Sequence, residues 1–285
     1  MIHFIFNPHA GHQKSTQKSK ILQLLREVPN SLVWITTQPL EATQMTQKAI
    51  AQKAEKVIAV GGDGTINEVA SALIETTIPL GIIPLGSGNG LARHLAIPLH
   101  PKEALYVALH GKEIAMDVGL INNRPFFCTM GIGFDAQVAT RFSKSAQRGF
   151  KNYVKATLKT LFHYQPIKIS LNHGPFEKVF SLTIANANQF GNNAYISPYS
   201  DVQDAQLEVV KIKPLNIFQA GYMAIQLFSK IIHTSKNTTI QSVKSLHIQY
   251  ASKQPLHIDG EALLTTQETI EITMEPLSLL VVVPS

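Results

Sequence analysis

The chain has 285 residues, a formal charge of +6, 45% hydrophobic and 15% charged residues, a balance that excludes a disordered chain and allows one large core or two modest ones. Its single cysteine, Cys128, excludes an intrachain disulfide and points to a reducing, cytoplasmic compartment. No apolar run reaches the roughly 18 residues needed to span a bilayer, the opening segment does not read as a signal peptide, and the positive charge favours an anionic partner without choosing one.

Ile2–Phe6 is a β-rich apolar run ended by Asn7-Pro8-His9-Ala10-Gly11. Helical spacing at Ile21, Leu22, Leu24 and Leu25 predicts a helix over 15–27. A strand follows over 31–36 and a helix over 41–54. Val57–Val60 runs as a strand into Gly61-Gly62-Asp63-Gly64-Thr65, and Ile66, Val69, Leu73 and Ile74 share one face of a helix over 65–75. The pattern then repeats. A short apolar run over 80–83 enters Pro84-Leu85-Gly86-Ser87-Gly88-Asn89, with helices from about residue 88 and over 101–110. Such alternation predicts an α/β unit with a doubly wound parallel sheet.

The two glycine turns are the chemically suggestive stretches. Without Cβ atoms they let main-chain amides approach an anion, and helix N-termini add partial positive charge. Asp63 then puts a carboxylate where phosphate would sit, which makes sense with a divalent cation or a hydroxyl also present. The first turn is neither GxGxxG nor a P-loop, and alone it also reads as an ordinary strand-to-helix turn. Two of them after neighbouring strands would lie side by side at the carboxyl edge of the sheet, where α/β folds bind ligands.

After Gly111 the texture changes. Strands are predicted over 113–121, 125–130, 167–171, 179–187, 206–213, 245–250, 256–258, 269–274 and 279–283, which suggests an antiparallel β-sandwich or barrel beyond a boundary near residue 120. Two helices interrupt it. The first, over 141–164, places Arg141, Lys144, Arg148, Lys151, Lys155 and Lys159 on one stripe, with no acidic residue between Asp135 and Glu177. It is a candidate for lying on an anionic membrane, and a solvated helix face is the alternative. The second, over 217–233, carries Phe218, Tyr222, Met223, Leu227 and Phe228 and is expected to bury them in the core.

Together GGDGT and PLGSGN resemble the signature of the diacylglycerol kinase catalytic domain. That family includes bacterial lipid kinases, sphingosine kinases and ceramide kinases, with NAD kinases as distant relatives. Asp117-Val118-Gly119, Gly131–Asp135 and Asn186 extend the resemblance along the chain. It implies a nucleotide-binding α/β domain over 1–120, completed by 277–285, and a β-sandwich lipid domain over 121–276. It implies ATP lined by Asn7, Pro8, His9, Ala10, Gly11, Thr36, Gly62, Asp63, Gly64, Thr65, Ile66, Asn67, Glu68 and Ser87. His257–Glu261 matches the turn that carries the family's catalytic base, so Glu261 would take the proton with Asp259 as its neighbour. On the residues alone, Asp259-Gly260 is a common hairpin turn. The segment Ile196–Glu208 resembles one that holds a structural Mg2+, with side-chain oxygens from Asp201 and Asp204 and the carbonyl of Gln206. It departs from the family at Asp204-Ala205, where Asp-Gly is usual, and alanine costs energy there if φ is positive.

The activity implied is an ATP- and Mg2+-dependent lipid kinase acting on diacylglycerol or a similar lipid and giving phosphatidic acid. Sphingosine, ceramide or phosphatidylglycerol are alternative acceptors, and a non-catalytic nucleotide- or lipid-binding regulator is the rival class. The implied partners are the lipid substrate and, through peripheral contact, an anionic membrane. A homodimer is left open. No basic sheet interleaved with aromatics points to nucleic acid.

Overall fold

A computed structural model describes residues 1–11, 15–144, 149–251, 254–264 and 267–285. Its contacts divide the chain into one unit made of Met1–Met116 with Leu277–Ser285 and a second made of Asp117–Pro276.

The first unit alternates β1 (Ile2–Phe6), α1 (Ser15–Arg26), β2 (Ser31–Ile35), α2 (Glu41–Ala51), β3 (Lys56–Gly61), α3 (Asp63–Leu73), β4 (Leu80–Pro84), a short α4 (Gly90–His94) and α5 (Pro101–His110). The sheet runs in the order β2-β1-β3-β4, all parallel, with Phe4 opposite Ile58 and Val60 opposite Ile83. Every residue of β4, and all of β3 past Lys56, is buried, which is why both read as unbroken apolar runs. The edge strand β2 stays half-exposed. The chain leaves β1 toward β2 on one side and returns to β3 on the other. The loops after β1 and β3 therefore open on a crevice at the carboxyl edge.

β5 (Lys112–Ile121) leads into the second unit. There follow β6 (Arg124–Phe126), β7 (Thr129–Gly133), α6 (Phe134–Ser143), α7 (Phe150–Leu161), β8 (Ile167–Leu171), β9 (Glu177–Val179), β10 (Ser181–Ala185), β11 (Leu207–Ile212) and α8 (Ile217–Phe228). The chain ends with β12 (Thr238–Val243), β13 (Leu246–Tyr250), β14 (Pro255–Ile258), β15 (Glu261–Leu264) and β16 (Thr269–Val283). A six-stranded antiparallel sheet, β12-β11-β10-β7-β14-β15, faces a second layer built from the start of β16 with β13, β8 and β9. Met130, Ile132, Ile184 and Ile258 of one layer meet Ile169, Ile248 and Ile270 of the other in one hydrophobic core. Burial of each such side chain contributes about 1.5–3 kcal/mol. The last strand ends in the first unit, where Val281 lies parallel to Leu80.

Several expectations are corrected. The strand expected over 125–130 is divided between β6 and β7, and the one over 179–187 between β9 and β10, whereas 269–274 and 279–283 belong to one strand of 15 residues. β12, with the polar sequence TTIQSV, lies at a sheet edge and buries little, so no apolar alternation marks it. The single helix over 141–164 is two helices, and α7 starts after Gly149, whose φ of 107° suits glycine. The basic stripe therefore reduces to Lys151, Lys155 and Lys159 on α7. Arg141 belongs to α6, Lys144 caps it, and Arg148 lies outside the described residues. The apolar face of α8 is core only in part: Met223 is buried and Leu227 packs beside it, whereas Phe218, Tyr222 and Phe228 are exposed. Among the described residues no helix is long and apolar enough to cross a membrane.

His3, on β1, is fully buried with both ring nitrogens unpartnered among the described residues, and its ring stands edge-on to Trp34 at 4.7 Å. Burial, and then the N-terminal ammonium, hold its pKa below the usual value. A depressed folded pKa means that the unfolded chain binds the proton more tightly, so this contribution to stability is present above about pH 6.5 and lost as pH falls. Thermal melts should show the wild type losing a few more degrees than His3→Leu between about pH 7.5 and pH 5.5. Parallel losses in the two proteins would contradict this.

Candidate functional site

In the first unit, loops after β1, β3 and β4 interlock. Asn7 donates from Nδ2 to Thr65 Oγ1 at 2.9 Å and accepts at Oδ1 from the His9 amide at 2.8 Å. The two glycine turns touch: a Cβ on Gly86 would lie 2.9 Å from Gly62 Cα and 2.7 Å from Asn89 Oδ1. Glycine is required at this contact because no side chain fits between the two backbones. Asp63, at the start of α3, reaches across to the second turn. Its Oδ1 accepts the Gly90 amide at 2.8 Å and its Oδ2 the Asn89 amide at 3.0 Å. Asn89 sits in the left-handed region with φ 52° and donates from Nδ2 to the Gly86 carbonyl at 2.9 Å. The carboxylate read from sequence as a metal or hydroxyl contact also clasps the two loops together.

The remaining nucleotide candidates separate into rim and frame. His9 and Ser87 are exposed, and Pro8, Ala10, Gly11, Gly62 and Gly64 are partly so. Thr36 and Thr65 are buried. Ile66 turns its side chain into the core and donates its amide to the Gly62 carbonyl at 3.0 Å. Asn67 accepts weakly from Ser71 Oγ at 3.4 Å. Glu68 Oε2 accepts the Ala42 amide at 3.1 Å, which satisfies an otherwise orphaned donor at the start of α2. Thr36 bonds through its amide to the Phe6 carbonyl at 2.9 Å. Beside it Glu41 accepts the Thr37 amide at 2.6 Å, and that bond holds its carboxyl below the usual range. The frame fixes a set of glycine-rich backbone segments at the N-terminal end of α3, an arrangement suited to phosphate.

In the second unit, Asp259 and Gly260 form the two-residue loop between β14 and β15, with Ile258 opposite Glu261. Both have positive φ, 48° and 82°, as a type I′ turn demands. The Asp259 carboxylate points back into the protein. It accepts the amides of Phe127 at 3.0 Å, Cys128 at 2.7 Å and Thr129 at 3.1 Å. Asp259 is thereby an anchor, and Glu261, one position past the turn, is exposed at the first residue of β15.

From this anchor a run of hydrogen bonds leads to the loop expected to hold Mg2+. Asn186 Nδ2 donates to the Phe127 carbonyl at 3.1 Å and to the Asp117 carbonyl at 2.9 Å. Asp117 Oδ2 then accepts the Ala205 amide at 2.8 Å. Ala205 has φ 58°, so alanine stands where glycine is favoured. Asp201 and Asp204 accept the amides of Gln203 and Gln206 at 3.0 and 2.9 Å. The Asp204 pKa is raised, chiefly by burial, with the charges of Asp201 and Asp117 acting in the same direction. Crowded carboxylates beside a main-chain carbonyl suit a hard cation. Among the described residues, no three His, Cys, Asp or Glu side chains gather to hold one, so main-chain oxygens and water would have to complete a shell.

A buried polar cluster that sequence reasoning did not assemble lies beside this anchor. Asp135 Oδ2 accepts from Thr183 Oγ1 at 2.8 Å and stands 3.4 Å from His257 Nε2. A Cβ on Gly131 would meet those two side chains at 2.3 and 2.5 Å. Burial, and then the Asp135 charge, push the Tyr153 hydroxyl up to about 12. The sequence had singled out Gly131–Asp135, but the lone histidine in the apolar strand PLHI was too weak a signal to be joined to it.

Residues 1–121 match the model of the diacylglycerol kinase catalytic domain, and residues 128–283 match that of the YegS C-terminal NAD kinase beta sandwich-like domain. A protein named "probable lipid kinase YegS" from Escherichia coli is 30% identical over 264 residues, covering 88% of this chain and 86% of the relative. One named "probable lipid kinase YegS-like" from Pectobacterium atrosepticum is 29% identical over 255 residues, 84% and 82% of the two chains. The crystal structure of a diacylglycerol kinase from Bacillus anthracis superposes with a TM-score of 0.75 at 23% identity, covering 99% of this chain and 96% of that one, a likeness of fold.

The strain at Ala205 can be measured. Ala205→Gly should raise the unfolding free energy by about 0.5–1 kcal/mol in urea titration, the relief of left-handed strain less the extra entropy of an unfolded glycine. An unchanged or lower stability would contradict it.

Proposed function

The chain belongs to the diacylglycerol kinase catalytic-domain family of lipid kinases, and on that premise we propose that it transfers the γ-phosphate of ATP to the hydroxyl of diacylglycerol or a closely similar lipid, giving phosphatidic acid and ADP. The observation that carries this reading is the pair of glycine turns held in backbone contact by Asp63. Phosphoryl transfer asks little covalent chemistry of a protein and much positioning of charge. The rim around Gly62, Gly64 and Ser87, with Asn7–Gly11 beside it, offers main-chain donors to a triphosphate at a helix N-terminus. Because the frame is rigid, those dipoles need little reorganisation as charge develops. Mg2+, when bound, would neutralise phosphate charge; in the loop of Asp201, Asp204 and Gln206 it would instead stiffen the second unit.

Glu261 is the base in this reading. The acceptor hydroxyl gives its proton to the Glu261 carboxylate, its oxygen bonds to the γ-phosphorus, and the bond from that phosphorus to the departing ADP oxygen breaks. The exposure of Glu261 and the buried anchoring of Asp259 support this division of labour. The first unit would serve the nucleotide and the second the lipid. An acceptor that lives in a bilayer makes the enzyme a peripheral one, working at an acidic membrane surface from the cytoplasm.

Labelled ATP offered with a panel of diacylglycerol, sphingosine, ceramide and phosphatidylglycerol, resolved by thin-layer chromatography, tests the proposal. Label should appear in phosphatidic acid, and Glu261→Gln should cut turnover about 10²- to 10⁴-fold with an unchanged melting temperature. Label in another lipid alone would overturn the acceptor, and wild-type turnover in Glu261→Gln would overturn the base.

A further inference from the structure

α8 is apolar on two sides. Its inward side packs Met223 and Leu227 onto the core beside the buried Gln226, while on its outer side Phe218 is 85%, Tyr222 61% and Ile225 62% exposed. Those three stand at steps of four and three, so they form one outward stripe. The helix is well made: Asn216 accepts the Gln219 amide at 2.9 Å and the Gln219 side chain accepts the Asn216 amide at 3.0 Å, a complete capping box. The apolar stripe is therefore presented by an ordered element.

The first turn of α8 adjoins the end of α7. Ile217, in the first turn of α8, and Leu161, in the last turn of α7, line one small cavity of about 60 Å³ with Tyr164, Pro166, Phe180 and Leu215. Around that junction α7 exposes Leu158 and, one residue past its end, Phe162, at 53% and 69%. Solitary exposed apolar side chains are ordinary, but several of them gathered on α8 and the end of α7 mark a contact surface.

The surrounding charge says what kind. No Asp or Glu occurs between residues 136 and 176 or between residues 209 and 258, the stretches that contain α7 and α8. Lys151, Lys155 and Lys159 along α7, and Lys213, Lys230 and Lys236 flanking α8, are all exposed. Apolar and aromatic side chains ringed by cations with long aliphatic stems fit the boundary between acyl chains and acidic headgroups.

We propose that the outer face of α8, continued by the end of α7, is the membrane-docking surface of this protein, with Phe218, Tyr222 and Ile225 inserted among the lipids and the flanking lysines on anionic headgroups. The inference rests on the lipid-kinase reading for its substrate and goes beyond it in assigning the contact to this surface. It shifts the weight from a basic stripe on α7 to an apolar stripe on α8, with the cations as an outer ring.

The test is co-sedimentation without ATP, using phosphatidylcholine vesicles with and without phosphatidylglycerol. Wild type should pellet with the acidic vesicles and weakly with the neutral ones, and Phe218→Ser combined with Tyr222→Ser and Ile225→Ser should lose about tenfold or more of that partitioning. A Phe218→Trp variant should shift its emission to the blue when acidic vesicles are added. Binding of the triple variant equal to wild type, no binding by wild type, or no shift in Phe218→Trp would each overturn the proposal. Light scattering without lipid identifies the rival occupant: a wild-type dimer that ignores vesicles and becomes monomeric in the triple variant would assign the face to a second copy. Turnover of a water-soluble short-chain diacylglycerol should be the same in wild type and triple variant. Its absence in both would defeat the kinase reading while the vesicle result still decides this surface.

Discussion

A carboxylate that spends its acceptors on main-chain amides holds the first unit's candidate site together. Asp63 sits on the first glycine turn and takes the Asn89 and Gly90 amides of the second. At that meeting Gly62 and Gly86 pack backbone to backbone, with no volume for even a methyl group on Gly86. Asn7 and Thr65 bind the third loop to the same frame. Once those segments are fixed, the open donors around them are oriented at no further entropic cost, which is what binding a flexible triphosphate requires.

The second unit uses the same device. Asp259 accepts three consecutive main-chain amides over residues 127–129, and Asn186 and Asp117 carry the connection on to the loop of residues 201–206. A charged acceptor facing several amides makes strong, short bonds and strongly resists being pulled away. It leaves Glu261, two positions on, attached to a stiff turn yet open to solvent. Rigid support beneath an exposed group is the usual arrangement for a residue that must meet a substrate.

What the sequence displayed follows the same physics. β3 and β4 were legible because strands covered on both faces are apolar throughout, and the GGDGT and PLGSGN turns because glycine there answers a local backbone need. β12 was not, since its polar edge carries no apolar period. The break between α6 and α7 depends on the backbone at Gly149, which composition does not report. α8 shows the limit of periodicity: spacing tells that Phe218 and Tyr222 share a face, but only packing tells whether anything covers it. The roles of Asp63 and Asp259 were half visible. Their positions stood out, whereas the amides they accept come from segments 26 and about 130 residues away in sequence.

The central claim, that the contact between the two glycine turns is what grips a nucleotide's phosphates, is tested most directly by calorimetric titration of ATP into wild type and Gly86→Ala. A methyl group there must force Gly62 and Asn89 aside. The account predicts that the variant stays folded by circular dichroism yet binds ATP about tenfold or more weakly than wild type. Equal affinity for ATP in the two proteins would contradict it.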